Sequence, residues 1–202
     1  HKVEDIEENV SSLFLALMNP EDKKNIKDFQ SFSDRIVYIN IPYVLDLNTE
    51  VEIYRNIFGS RIDDSFLPRV LHNFARVIIS SRLSLRSDAL LEWIPDPENY
   101  SRYCDKNLQL LKMEIYTGHI PEWLSEDDRK ALTAKRRRRI IGESEYEGRQ
   151  GISGRDSIKI FNTFFTTYAK SGELIDMAML CKFFHGQKDL KASIPEGFLD
   201  SL

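Results

Sequence analysis

"GRQGISGRDSIKIF", residues 148–161, marks a helix start and puts a cation where a helix least favours one. Ser153 and Asp156 have the S-x-x-D spacing of a capping box, which predicts a helix over roughly 154–170. Arg155 then falls in its first turn, where unpaired backbone N–H groups leave about half a positive charge. A cation there costs roughly 0.3–1 kcal/mol. Gly148, Gly151 and Gly154 are expected to keep side chains out of the approach. A bound anion would offset the placement, with Ser153 and Gly154 offering the N-terminal amides. The competing reading is an arginine that bonds Asp156 or another nearby carboxylate.

Outward from this start the pattern is helical. Phe161, Phe164, Phe165 and Tyr168 follow, and a further helix over roughly 173–185 carries Phe183 and Phe184. Upstream, the capping-box spacing of Thr49 and Glu52 predicts a helix that carries Ile53, Ile57 and Phe58 and stops at Gly59. From 63 to about 85, Leu67, Val70, Leu71, Phe74, Val77 and Ile78 recur at helical spacing. "WIPDPENYS" (93–101) reads as a proline-broken loop, and "DKNLQLLKMEIYTG" (105–118) as a helix. Ser125 and Asp128 predict the start of a charged helix running to about 141. Two stretches read instead as buried strands: "SLFLALMN" (12–19) and the β-branched "IVYINIP" (36–42), with a short helix between them. Two strands are marginal alone, so they are expected to belong to a larger sheet.

The chain has 202 residues, 42% hydrophobic and 30% charged, which is the composition of an ordered globular protein. A net charge of −4 disfavours a general nucleic-acid coat. Cys104 and Cys181 stand in no metal or redox spacing and read as reduced thiols, as in a cytoplasmic protein. No apolar run approaches the roughly 20 residues of a membrane span. The start lacks an initiator Met and the tail lacks a helix terminator, so a piece of a longer protein is expected.

Motif searches exclude several chemistries. The chain has no Walker A sequence, no G-x-S-x-G, no H-E-x-x-H and no kinase H-R-D set. His72, His119 and His185 are scattered, as packing or surface histidines are, and no metal set is expected. Three positions stand out. Asn19 ends an apolar strand at the edge where open α/β sheets bind ligands, although Asn-Pro also starts turns. Arg35 immediately precedes the second strand, where a surface salt bridge with Asp34 is the alternative. Arg155 is the third. The run "KRRRR" (135–139) cannot share one helical face, because successive residues turn by about 100°. Acidic residues 126–128 before it and basic residues near the helix end suit the helix dipole. The alternative there is a docking patch for nucleic acid or an acidic partner.

In order along the chain, "LFLALMNPED", "FSDRIVYINIPYVLDLNTEVEIYR", "LKMEIYTG" and "GISGRDSIKIFN" resemble the AAA+ ATPase module of the PrkA-type serine protein kinases. The resemblance implies a mainly α chain: a short α/β remnant of a P-loop ATPase core (1–45), then a helical lid (46–202) with an insertion at about 86–150. It implies that Asn19 is the sensor 1 residue, Arg35 a trans-acting arginine finger, and Arg155, with Ser153 and Gly154, the sensor 2 element at the nucleotide. ATP and Mg would be the parent protein's cofactors, its partners further copies in a ring and a protein substrate, with neither nucleic acid nor membrane. Lacking Walker A, this chain alone is expected to be inactive and to hold no cofactor tightly. The alternative function is a helical interaction module that uses residues 125–141 to bind nucleic acid or an acidic protein.

Overall fold

The computed structural model describes residues 2–3, 6–7, 13, 15–17, 36–169 and 173–202. The chain divides into two units, residues 1–40 and 41–202. In the first, β1 (Lys2–Val3) and β2 (Ile6–Glu7) pair antiparallel, Lys2 opposite Glu7 and Val3 opposite Ile6. The strand expected over 36–42 is not formed: these residues carry no regular structure, and Val37, Ile39 and Ile41 are all more than three-quarters exposed. A strand is held by neighbours that take up its N–H and C=O groups, and no described strand pairs with this segment. Of 12–19, the described residues 13 and 15–17 likewise form no strand, and Leu13, Leu15 and Leu17 are exposed. The helix expected between the two stretches lies outside the described residues.

The second unit is helical throughout. Helix α1 (Leu47–Phe58) is capped by Asp46, whose carboxylate accepts from the Thr49 N–H at 2.7 Å. The cap is therefore Asp46, three residues before the Thr49 that the spacing suggested, and Gly59 ends the helix at φ 90° as expected. The long helix expected from 63 is broken. A 3-10 turn (Ser60–Ser65) precedes Pro68, and α2 (Val70–Ser80) starts only after it. Proline lacks the N–H and disfavours helical geometry in the residue before it. Leu67 is consequently half-exposed, while Val70, Leu71, Phe74, Val77 and Ile78 are buried.

Helices α3 (Asp88–Trp93), α4 (Gln109–Tyr116), α5 (Glu126–Ala131) and α6 (Ala134–Gly142) follow. The charged helix expected over 125–141 is two helices. Ser125 caps α5, the chain leaves helical geometry at Leu132, and the Thr133 hydroxyl caps α6 by accepting from Arg136 N–H. The basic run thus spans its own short helix, from Lys135 in the first turn to Arg139 in the last, instead of standing only at the end that the dipole favours. Helices α7 (Gly154–Tyr168), α8 (Met177–Gly186) and α9 (Lys188–Lys191) complete the unit.

Aromatic packing joins α1, α2, α7 and α8. Phe161 of α7 stacks on Tyr54 of α1 with ring centres 4.6 Å apart, and Phe74 of α2 meets Phe161, Phe164 and Phe184 at 5.1–5.3 Å. All five rings are buried, and each such side chain contributes about 1.5–3 kcal/mol. Leu90, Trp93, Leu111, Ile115 and Ile140 extend the same core through α3, α4 and α6.

Candidate functional site

The loop 147–153, which delivers the chain to α7, is pinned along its length. The buried Glu147 carboxylate accepts from Lys112 Nζ (2.6 Å), the Ser84 N–H (3.0 Å) and the Tyr116 hydroxyl (2.7 Å). Gly148 donates its N–H to Arg82 O, and its carbonyl accepts from the Tyr43 N–H at 2.7 Å. Ile152 accepts from Arg82 Nε (2.8 Å) and donates to the Ser81 hydroxyl (3.0 Å). Two of the three glycines are needed for this seat. Gly151 has φ +95°, and a Cβ there would lie 2.1 Å from the Ser81 carbonyl oxygen; at Gly148 (φ +68°) it would lie 2.8 Å from Tyr43 O. They admit neighbouring backbone, not a ligand. At Gly154 a Cβ would meet none of the described residues within 4 Å, so of the three glycines this one fronts open space among them.

Beneath the loop sits an ion pair almost wholly withdrawn from solvent. Arg82 donates NH1 to Glu50 Oε2 (2.8 Å) and to Val44 O (2.7 Å), and NH2 to Glu50 Oε1 (3.2 Å). Glu50 Oε1 also accepts from the hydroxyls of Tyr54 (2.8 Å) and Ser157 (2.7 Å), which lie 2.6 Å apart. Burial, and then the Glu50 charge, push the Tyr54 phenol well above its usual range, so it stays a neutral hydrogen-bonding group. Ser157 stands in the first turns of α7, so the pair holds that helix as well as the loop before it.

On this base the capping box forms as the spacing predicts. Ser153 Oγ accepts from the Asp156 N–H (3.1 Å), and its hydroxyl donates to Asp156 Oδ2 (2.7 Å). The Ser153 hydroxyl bond, with Lys159 nearby, holds the Asp156 carboxyl below the usual aspartate range. The Arg155 charge also contributes to lowering the Asp156 carboxyl, without a bond between the two. Arg155 is exposed and makes no hydrogen bond or ion pair to any described residue, so the carboxylate-bonded alternative does not form among them. Asn19 and Arg35 lie outside the described residues.

Other candidates carry less. Within the basic run, Arg136 bonds Ala131 O, Arg137 bonds Gly118 O and Arg139 pairs with Glu92. Cys104 is buried, and burial and then Asp105 push its thiol up to about 12, which leaves an inert side chain. His72 is lowered by burial and then by the Arg55 charge. Among the described residues no His, Cys, Asp and Glu group could hold a metal. None of their helices is long and apolar enough to cross a membrane.

Two family profiles match the chain: the PrkA AAA domain over residues 15–89, and the PrkA serine protein kinase C-terminal domain over 110–199. The chain belongs to the PrkA family. It is 30% identical over 144 residues to "Serine/threonine kinase YeaG" of Escherichia coli K12, across 70% of this chain and 19% of that protein. The same values hold for the YeaG proteins of the O6:H1 and O157:H7 strains. The chain therefore spans about a fifth of the length of the curated relatives it matches. No solved structure matches it.

The two PrkA matches divide the residues named above. Asn19, Arg35, Glu50 and Arg82 fall in the AAA match, whereas Lys112, Glu147, Ser153, Gly154, Arg155 and Ser157 fall in the C-terminal-domain match. The sequence reading did not single out Arg82, Glu50, Ser157 or Lys112. A signal existed: Lys112 interrupts "LLKMEIY", and Glu50 and Tyr54 stand four apart on a helix face that is otherwise apolar. A charge in an apolar stripe is a cue to search for a buried partner.

Proposed function

We propose that this chain forms part of an ATP-dependent PrkA-type serine protein kinase, in which it supplies phosphate-sensing elements to an ATP site shared between ring subunits. The observation that carries the reading is Arg155: an exposed cation with no hydrogen bond or ion pair among the described residues, in the first turn of a capped helix whose base is a buried ion pair. A phosphate oxygen answers both needs of that place, because it compensates the cation and accepts from the free amides. The guanidinium fork suits this chemistry, since it stays charged and engages two oxygens at once. In the same reading Asn19 orients the γ-phosphate or attacking water, and Arg35 reaches a neighbouring subunit's nucleotide. ATP brings the transferable phosphoryl group, and Mg is assigned to no residue of this chain. Catalysis of such transfer is mainly positioning and charge neutralisation. The alternating, exposed apolar side chains of Val37, Ile39 and Ile41 support a strand completed by other parts of an ATPase core.

The test is steady-state ATP hydrolysis by the full-length protein. Arg155→Ala is expected to lower kcat by about 10–1000-fold, and Arg155→Lys to fall well short of wild type because a point charge lacks the fork. Arg35→Ala should nearly abolish hydrolysis with little change in ATP affinity, and mixing it with a Walker A variant should restore part of the rate. Wild-type turnover in the Arg35→Ala, Arg155→Ala double variant would refute the proposal.

A further inference from the structure

Glu50 and Arg82 belong to the segment matched by the AAA profile, yet their bonds run to Ile152 and Ser157 in the segment matched by the C-terminal-domain profile. One guanidinium, 1% exposed, reaches three separate stretches of chain: Val44 just before α1, Glu50 within α1, and Ile152 at the entry to α7. The Tyr43 ring lies 5.8 Å from the same guanidinium, and the Tyr43 N–H is bonded to Gly148. Charge is expensive to bury, and a pair as dry as this one is a poor source of stability compared with apolar packing. Its geometry does something apolar contacts do poorly, because directional bonds fix register and angle as well as proximity. Two of these bonds, Arg82 Nε to Ile152 O and Ser157 Oγ to Glu50 Oε1, reach the residue before Ser153 and the first turn of α7, where Arg155 stands.

We propose that Arg82, seated by Glu50, is a positioning residue for Arg155: it makes 43–50, the end of α2 and the start of α7 one rigid piece, so that Arg155 is aimed by the chain segment that enters from the ATPase core. This rests on the phosphate-sensing reading of Arg155. Arg82 touches no nucleotide and acts only through the direction it imposes on α7. Ser157 is where the ion pair bonds the helix itself, four residues beyond the cap.

Two variants of the full-length protein test this. Arg82→Lys keeps the charge but cannot reach Val44, Glu50 and Ile152 together; Ser157→Ala leaves the ion pair intact and cuts its bond to α7. Each is expected to lower kcat for ATP hydrolysis by roughly 10–100-fold with KM for ATP changed less than about threefold, as a misaimed group does. Each should add nothing further in an Arg155→Ala background, because the residue being aimed is gone. Amide hydrogen exchange, read in the same variants without nucleotide, should quicken at 150–158 while α2 stays protected. Unchanged exchange at 150–158, or losses that multiply with that of Arg155→Ala, overturns the positioning role. If exchange quickens as expected but Arg155→Ala hydrolyses ATP at the wild-type rate, the phosphate-sensing reading fails, and with it the catalytic purpose of the positioning.

Discussion

Replacing Gly151 and Gly154 singly with alanine should have opposite consequences, although both glycines precede Arg155 by only a few residues. At Gly151 the backbone has φ +95°, which costs an L-residue roughly 1–2 kcal/mol. The new Cβ would also stand 2.1 Å from Ser81 O and 2.6 Å from its carbonyl carbon, and both are backbone atoms at the end of α2. Relief requires the loop to lift. Lifting weakens Ile152 N–H to Ser81 Oγ, Arg82 Nε to Ile152 O and Gly148 N–H to Arg82 O. Such bonds contribute about 1 kcal/mol each, so losing two of them brings the cost to about 3–4 kcal/mol. At Gly154, the first residue of α7, a methyl group meets none of the described residues within 4 Å and reduces the freedom of the unfolded chain, a gain of about 0.4–1 kcal/mol. Urea unfolding followed by far-UV circular dichroism measures both. With a slope of about 2 kcal/mol/M, Gly151→Ala should lower the midpoint by about 1.5–2 M and Gly154→Ala should raise it slightly. A Gly151→Ala midpoint within experimental error of wild type would refute the close approach of the loop to α2.

Three further outcomes follow from the same geometry. Arg155→Ala should leave the melting temperature of the chain unchanged or slightly higher, because the side chain bonds none of the described residues and opposes the helix dipole; a drop of several degrees would mean a buried ion pair instead. The Asp156 carboxyl, bonded first to Ser153 and then to Lys159, is more acidic folded than unfolded. Its contribution is therefore complete above the unfolded value of about 3.9 and disappears as pH falls through the lower folded value. Asp156→Asn should accordingly flatten the acid limb of a stability-against-pH curve, and an unchanged limb would count against the bond. Lys112→Met should destabilise by about 3–5 kcal/mol, because it strands the Glu143 and Glu147 carboxylates that the ammonium meets at 2.7 and 2.6 Å. Adding Glu147→Gln should recover part of that loss, and a double variant no better than the single one would argue against charge as the cause.

Local rules reached the ends of elements well, because a cap is a bond between residues three apart. Ser153 with Asp156 and Ser125 with Asp128 form as spacing predicts, and Gly59 stops α1. The same rules chose Thr49 over Asp46, since both have the right chemistry and only backbone geometry separates them. The period of the apolar residues placed α2 in the core but ran it through Pro68, and it carried the charged helix across the break at Leu132. The helical class, the presence of Arg155 in a first turn and the resemblance to PrkA were thus all legible along the chain.

The sequence by itself determined which short segments become helices and which faces are apolar, because propensity, capping and periodicity act over a few residues. Tertiary structure alone decided what Gly148 and Gly151 are for, since the backbone they make room for lies about 70 to 105 residues away. It alone brought Glu50, Arg82 and Ser157 together, although the first two are 32 positions apart in sequence and the first and last 107. It also left Val37, Ile39 and Ile41 exposed where their pattern calls for burial. A strand's pattern specifies a buried face, but burial itself depends on whatever packs against that face.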